Sequence, residues 1–162
     1  MVMKQSKIAK HGFILGLMAL LMCSCSSEKG LELATLSTRH FQNSGCKEYV
    51  AAAKPMTTGE VEQFKFAATP DGYLVVTHLN AMYNCVGDIS TEAFLEEGRT
   101  IIINEKEGSV AANCLCPFDI STEFGKLDHG KYTVIVKRNG EEVFRHAIDY
   151  NASLSEVVGA AK

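Results

Sequence analysis

The sequence lacks every short motif that marks a common catalytic site. It has no G-x-S-x-G nucleophile elbow, no H-E-x-x-H metal pair, no P-loop and no Gly-rich dinucleotide loop. Its carboxylates offer no close pair, because Asp119 and Glu123 would lie roughly 13 Å apart along one strand face, farther than glycosidases place their two acids. These absences predict a protein that is not an enzyme and holds no cofactor.

Basic clusters, repeats and long hydrophobic runs are also missing. Lys and Arg are neither clustered nor interleaved with aromatic residues, which argues against nucleic acid as a partner. The longest apolar run covers residues 12–22, whereas a membrane-spanning helix needs about 20 residues. A chain of 162 residues without repeats or low-complexity tracts favours a single domain.

The N-terminus has the layout of an export signal. Three lysines, at positions 4, 7 and 10, precede the apolar run, and Ser24 then precedes Cys25. This order resembles a bacterial lipobox, in which the peptidase accepts a small residue before the lipidated cysteine. Cys23 is the poorer acceptor because the bulky Met22 precedes it. An ordinary cleaved signal with a soluble product is the alternative.

The lipobox interpretation divides the chain into four segments. Residues 1–24 are the lipoprotein signal peptide, 25–30 a lipidated tether, 31–150 a β-sandwich domain and 151–162 a C-terminal tail. Palmitate-type acyl chains on Cys25 would anchor the protein in the outer membrane. Only Glu28 adds an acidic residue just after Cys25, and this scarcity of acids slightly favours the periplasmic face over the cell surface. The mature chain would carry 13 basic and 19 acidic residues, a formal charge of −6.

Hairpin signals dominate the body. Alternating residues 63–67, a Pro-Asp-Gly turn at 70–72 and a β-branched run at 73–79 predict one hairpin, and residues 131–137, Asn139-Gly140 and 142–148 predict another. Residues 99–104 are predicted to form a strand that ends in a charged turn at 105–108. Residues 90–97 are predicted to form one or two capped helical turns. The tail is expected to be a short helix or loose. The overall pattern predicts an all-β fold, an antiparallel Greek-key, immunoglobulin-like β-sandwich of about seven strands.

One short motif supports that architecture. Leu127, Gly130 and Tyr132 have the spacing of a tyrosine corner, in which the Tyr hydroxyl bonds to the backbone a few residues upstream. The alternative is that Tyr132 simply begins an amphipathic strand.

Four cysteines remain after export, namely Cys46, Cys85, Cys114 and Cys116. In a strand Cys114 and Cys116 project to one face with parallel Cβ vectors, so pairing with each other is disfavoured. Two disulfides to Cys46 and Cys85 are favoured in an oxidising compartment, in either of two arrangements. Alternatives are a four-cysteine site for zinc or copper, with His78 as an additional ligand, a redox pair, or free thiols.

The chain resembles a group of small lipoproteins from Bacteroidetes-type Gram-negative bacteria. The resemblance spans most of the mature body and includes Cys25, the G-C-K element at 45–47, the N-C pair at 84–85, the C-x-C-x-F-D element at 114–119 and residues 125–132. It implies an envelope location and a similar architecture, and names no substrate. The predicted function is a non-catalytic envelope lipoprotein, a binding or structural module with an envelope protein or a glycan as partner.

Overall fold

The fold is described by a computed structural model that covers residues 33–47, 61–97, 99–108 and 113–160. Nine strands and no helix occur in these ranges. The strands are β1 (Ala34–Asn43), β2 (Gln63–Ala68), β3 (Tyr73–Asn84), β4 (Ile89–Glu96), β5 (Thr100–Glu107), β6 (Leu115–Gly125), β7 (Gly130–Arg138), β8 (Glu141–Tyr150) and β9 (Ser155–Gly159). The predicted all-β class is confirmed, with two strands more than the approximate number predicted. A helix that could cross a membrane is not found within the described ranges.

The strands form one mixed sheet in the order β8-β7-β5-β4-β1-β6-β3-β2-β9. Neighbouring strands are antiparallel except for β5 and β7, which run parallel from the pair Thr100 and Thr133 to the pair Glu105 and Arg138. The expectation of a purely antiparallel arrangement is therefore wrong at this junction. Parallel pairing arises because the chain leaves β5, forms β6 on the far side of β1 and returns to lie beside β5.

Strand β1 links the two halves of the sheet. Its first residues, Ala34 to Leu36, pair with β4, while Ser37 to Asn43 pair with β6. A register irregularity lies between Arg39 and Gln42, where His40 has a φ of +50°. Bulges bend a strand and increase its twist. The sheet curls, so that Phe64 on β2 stacks against Phe144 on β8 with ring centroids 4.0 Å apart, although these strands lie near opposite ends of the strand order.

The curled sheet encloses one main apolar core. Inward-facing residues come from both halves, and each fully buried aliphatic or aromatic side chain contributes roughly 1.5–3 kcal/mol. The largest fully buried members are Phe64, Phe66, Leu74, Ile101, Ile103, Phe124, Val134, Val136 and Tyr150. A second, smaller core lies around Tyr83, Cys116 and Phe118 on β3 and β6. The candidate site lies beside this smaller core.

Both predicted hairpins are confirmed. β2 pairs with β3 across the turn at 70–72, and β7 pairs with β8 across Asn139 and Gly140. Asn139 and Gly140 have φ values of +50° and +91°, the left-handed conformations that a two-residue turn of this class requires. Turn residues flanked by strand patterns therefore predicted these two hairpins.

Two segments differ from the sequence-based prediction. Residues 90–97, expected as a helical turn, belong largely to β4, because β1 and β5 offer edges on both sides and eight residue pairs join β4 to β5. Residues 155–159, expected in a helical or loose tail, form β9, which pairs with Gln63 to Ala67 of β2. Val158 and Leu154 pack against the main core, so the domain extends past residue 150.

Candidate functional site

Four cysteines lie at one end of the β3–β6 pair and form two disulfides. Cys46 is paired with Cys116, with Cα atoms 5.3 Å apart, and Cys85 with Cys114, with Cα atoms 5.7 Å apart. This is one of the two arrangements that the sequence left open. The register explains it: Tyr83 lies opposite Cys116, so Cys85 falls opposite Cys114, and its N–H donates to the Cys114 carbonyl at 3.3 Å. Cys116 is then left for Cys46.

The segment after β1 carries Cys46 to its partner. The Ser44 N–H donates to the Asp119 carbonyl at 3.0 Å and the Lys47 N–H to the Pro117 carbonyl at 3.1 Å, so residues 44–47 continue alongside β6. The C-x-C spacing places Cys114 and Cys116 on one face of that strand. The Sγ atoms of Cys46, Cys85 and Cys116 all lie within 4.8 Å of one another.

Asp119 holds this segment in place through its side chain. Its carboxylate accepts a hydrogen bond from the Asn80 N–H at 3.0 Å and forms an ion pair with Lys47. Asn80 has a φ of +57° at the register irregularity of β3, and its Oδ1 accepts from Lys47 Nζ at 2.9 Å. Glu123 belongs to a different ion cluster, with Arg39 at 2.6 Å and His40 at 3.0 Å. The two carboxylates share no site, as their spacing predicted.

A network of buried ionisable side chains crosses the interior next to the cysteines. His78 on β3 and Glu105 on β5 are 1% and 3% exposed, and His78 Nδ1 lies 2.9 Å from Glu105 Oε2. The Tyr83 hydroxyl donates to the same carboxylate oxygen at 2.6 Å. Glu105 therefore joins β3 to β5 through the core. Because a charged group this deeply buried is stable only when paired, the three side chains form one unit.

A second ion pair closes the network near the surface. Arg138 Nη2 donates to Glu62 Oε1 at 2.8 Å, and the Met82 N–H donates to the same oxygen at 3.1 Å. His78 Nε2 faces Glu62 Oε2 at 3.8 Å, beyond hydrogen-bonding distance, and has no hydrogen-bond partner. The network thus holds two carboxylates, one guanidinium and one imidazole, which balance in charge when His78 is protonated.

Ion pairing and burial shift the pKa values of several groups in this network. Burial lowers the pKa of His78, but the hydrogen bond to Glu105 and the negative charge of Glu62 outweigh it, so the pKa is raised above its ordinary value. Burial raises the pKa of Glu62, whereas His78, Arg138 and the Met82 N–H lower it to about 2. Burial and the charge of Glu105 raise the pKa of the Tyr83 hydroxyl. The Glu62 carboxylate and the His78 imidazole are therefore favoured in their charged forms.

Sequence reasoning placed His78 correctly in a strand but missed its partners. Glu105 was assigned to a charged turn at 105–108, whereas it is buried on β5, which continues to Glu107. His78 also stacks on Phe64 with ring centroids 4.1 Å apart and bonds to Glu105. Its burial agrees with the interpretation as a buried strand residue, and it is not among the three grouped sulfurs that the alternative metal site would use.

The residues of the tyrosine-corner motif lie together at the opposite edge of the main core. The Tyr132 hydroxyl donates to the Asp128 carbonyl at 2.9 Å, and Leu127 is buried in the core. Gly130 has a φ of +139°, a conformation that favours glycine, and a Cβ there would also have to displace the Arg99 guanidinium. Arg99 Nη1 in turn donates to the His129 carbonyl at 2.9 Å. This constellation supports the loop before β7 and is structural.

The predicted lipidation site, Cys25, lies outside the described residues, as do the signal peptide of residues 1–24 and the tether of residues 25–30. Comparisons with family models, curated proteins and solved structures gave no significant match.

Proposed function

We propose that this chain is a non-catalytic lipoprotein of the outer membrane, anchored through Cys25 and folded as a disulfide-stabilised, immunoglobulin-like Greek-key β-sandwich. This proposal rests on the two cysteine bridges: Cys46–Cys116 joins the segment after β1 to β6, and Cys85–Cys114 joins the residue after β3 to the residue before β6. Disulfides persist in exported proteins and are rare in the cytosol. The export signal and the lipobox at Cys25 agree with that compartment.

Three features support the sandwich. β1 pairs with β4 along its first part and with β6 along its second, so one strand contributes to two groups of strands. Side chains from both groups meet in the main core. The Tyr132 hydrogen bond to Asp128 has the local geometry of a tyrosine corner, a hallmark of Greek-key sandwiches.

A groove beside β1 supports a binding role, and we assign it to a glycan. It is lined by the aromatic ring of Phe41, which is 42% exposed, the amide of Gln42 and the hydroxyls of Thr77 and Ser121. An exposed aromatic ring next to amide and hydroxyl groups suits the apolar face and the hydroxyls of a sugar. Binding of envelope polysaccharide should weaken in Phe41→Ala and persist in Val157→Ala, which also removes an exposed apolar side chain. Equal binding by both variants would refute this assignment.

The anchoring is tested by the mass and location of the mature protein. The wild-type N-terminal peptide should begin at Cys25 and carry one diacylglycerol and one acyl chain, and the protein should fractionate with the outer membrane. Cys25→Ala should lose both properties, whereas Cys23→Ala should keep them. An unmodified protein recovered from the cytoplasm would contradict the proposal.

A further inference from the structure

We propose that the cysteine cluster, once reduced, is a binding site for a single soft monovalent ion, Cu(I), held by Cys46, Cys85 and Cys116. Three sulfur atoms within 4.8 Å of one another are close to the arrangement that a trigonal thiolate site needs. With a metal–sulfur bond of about 2.3 Å, the sulfurs of such a site lie roughly 4 Å apart. Cys46 and Cys116 are bonded to each other in the oxidised protein, so on reduction their sulfurs have to move apart to this distance, which rotation of the side chains allows.

The three sulfurs come from elements that are fixed independently of the disulfides. Cys116 lies within β6 opposite Tyr83, and Cys85 directly follows β3, which pairs with β6 along ten residue positions. Cys46 is held by the backbone hydrogen bonds of Ser44 and Lys47 to β6. Opening the two sulfur–sulfur bonds therefore leaves the thiols next to one another.

The chemistry of the cluster selects a soft ion. Thiolate ligands favour Cu(I) and zinc over hard cations, and among the described residues no histidine nitrogen or carboxylate joins the three sulfurs. Structural zinc takes four ligands, whereas the Cys114 sulfur, although bonded to Cys85, does not lie within 4.8 Å of all three other sulfurs. Three converging thiolates thus match Cu(I) better than zinc.

Solvent and small reductants can reach the cluster on the side where its cysteines are exposed. Cys46 is exposed and Cys85 is half-buried, whereas Cys116 is fully buried. A dithiol reductant can attack the exposed sulfurs: for each disulfide, the dithiol gives up two electrons and two protons, becomes a disulfide itself and leaves two protein thiols. Each thiol that binds the ion then releases its proton.

The test is a titration of the detergent-purified lipoprotein with Cu(I) against a chromogenic chelator, before and after reduction with dithiothreitol under inert gas. The reduced protein should bind one ion per chain and the oxidised protein none. Because reduction precedes the titration, the result does not depend on how the cysteines were paired at isolation, and so is separate from the test of the proposed function.

Two variants that each keep three of the four cysteines test which of them bind the ion. Cys116→Ser should weaken the reduced protein's affinity by more than roughly 100-fold, since even outer-shell changes cost up to that much, whereas Cys114→Ser should leave it unchanged. A reduced wild-type protein that binds no ion would overturn the proposal. So would equal affinities of the two variants, because the ligands would then be all four thiols or an unfolded chain.

Discussion

At the scale of single residues, buried ionisable side chains that bond to one another stabilise the interior together with the apolar side chains. Glu105 accepts hydrogen bonds from Tyr83 and bonds to His78 in a region where all three are at most 3% exposed. Nothing in the local sequence distinguishes Glu105 from the neighbouring Glu107, because both lie in the charged stretch 105–107. Their difference arises only when β5 packs across β3.

Replacing Glu105 with leucine should be strongly destabilising. The change leaves the His78 imidazole and the Tyr83 hydroxyl buried without their shared acceptor, and breaking a buried pair costs about 3–5 kcal/mol. Glu141→Leu, at an exposed position on β8, should change the free energy of unfolding by less than about 0.5 kcal/mol. Denaturant unfolding of the oxidised proteins measures both. Equal effects would show that the buried network contributes nothing.

The same network predicts a pH dependence of stability. His78 is faced by Glu105 on β5 and by Glu62 before β2, which themselves bond to Tyr83 and Arg138, and the pKa of His78 in the folded protein is raised. The folded state therefore binds the proton more tightly than the unfolded state. The resulting stabilisation is fully present below the unfolded pKa of about 6.5 and is lost as the pH rises through the folded value.

The measurement is the difference in unfolding free energy between the wild type and His78→Phe as a function of pH. This difference cancels the titration of the other histidines. The advantage of the wild type should shrink as the pH rises above about 6.5. An advantage that grows with pH would mean that His78 is neutral in the folded protein.

At the scale of elements, local chemistry predicted the hairpins and failed where pairing is long-range. Asn139 and Gly140 specify their turn without help from the rest of the chain. Residues 90–97 satisfy a helix cap locally, yet β1 and β5 provide hydrogen-bond partners on both sides, and this tertiary pairing decides their conformation. The parallel β5–β7 junction pairs residues 33 positions apart in the chain, such as Thr100 and Thr133, and no local pattern encodes this pairing.

Strand β9 contributes to stability through only one of its two faces, the one that packs against the main core. Val158 packs against the main core, whereas Val157 is 56% exposed. Val158→Asp should lower the free energy of unfolding by about 1–3 kcal/mol, because it brings a charge to the core edge, and Val157→Asp should have little effect. Thermal or denaturant unfolding compares them. Similar losses in both variants would contradict the inward orientation of Val158.

The two bridges should behave as two independent pairs. They span 70 and 29 residues, for which chain-entropy arguments give a contribution of about 4 kcal/mol each. Cys46→Ala and Cys116→Ala should each remove one such contribution, and the double variant should be no less stable than the single ones. Cys46→Ala combined with Cys85→Ala should lose roughly the sum. Additive losses within the pair of Cys46 and Cys116 would refute their bonding.

At the scale of the whole molecule, the described part of the chain is one curled sheet whose stability depends on three supports. The main apolar core holds the two halves together, the buried charge network joins β3 to β5, and the cysteines fasten the segment after β1 to β6. Strand and turn patterns predicted the all-β class, and the C-x-C spacing predicted that Cys114 and Cys116 would not pair with each other. The pairing among them followed only from the register of β3 against β6, which sequence spacing does not determine.

The four cysteines are joined as 46–116 and 85–114. Peptide mapping by mass spectrometry under non-reducing conditions, on protein isolated from the cell envelope with free thiols blocked at lysis, tests this pairing directly. Two cross-linked peptide pairs with these partners, and no blocked cysteine among the four, are the predicted result. Four blocked cysteines, or a bridge between Cys46 and Cys85, would contradict it.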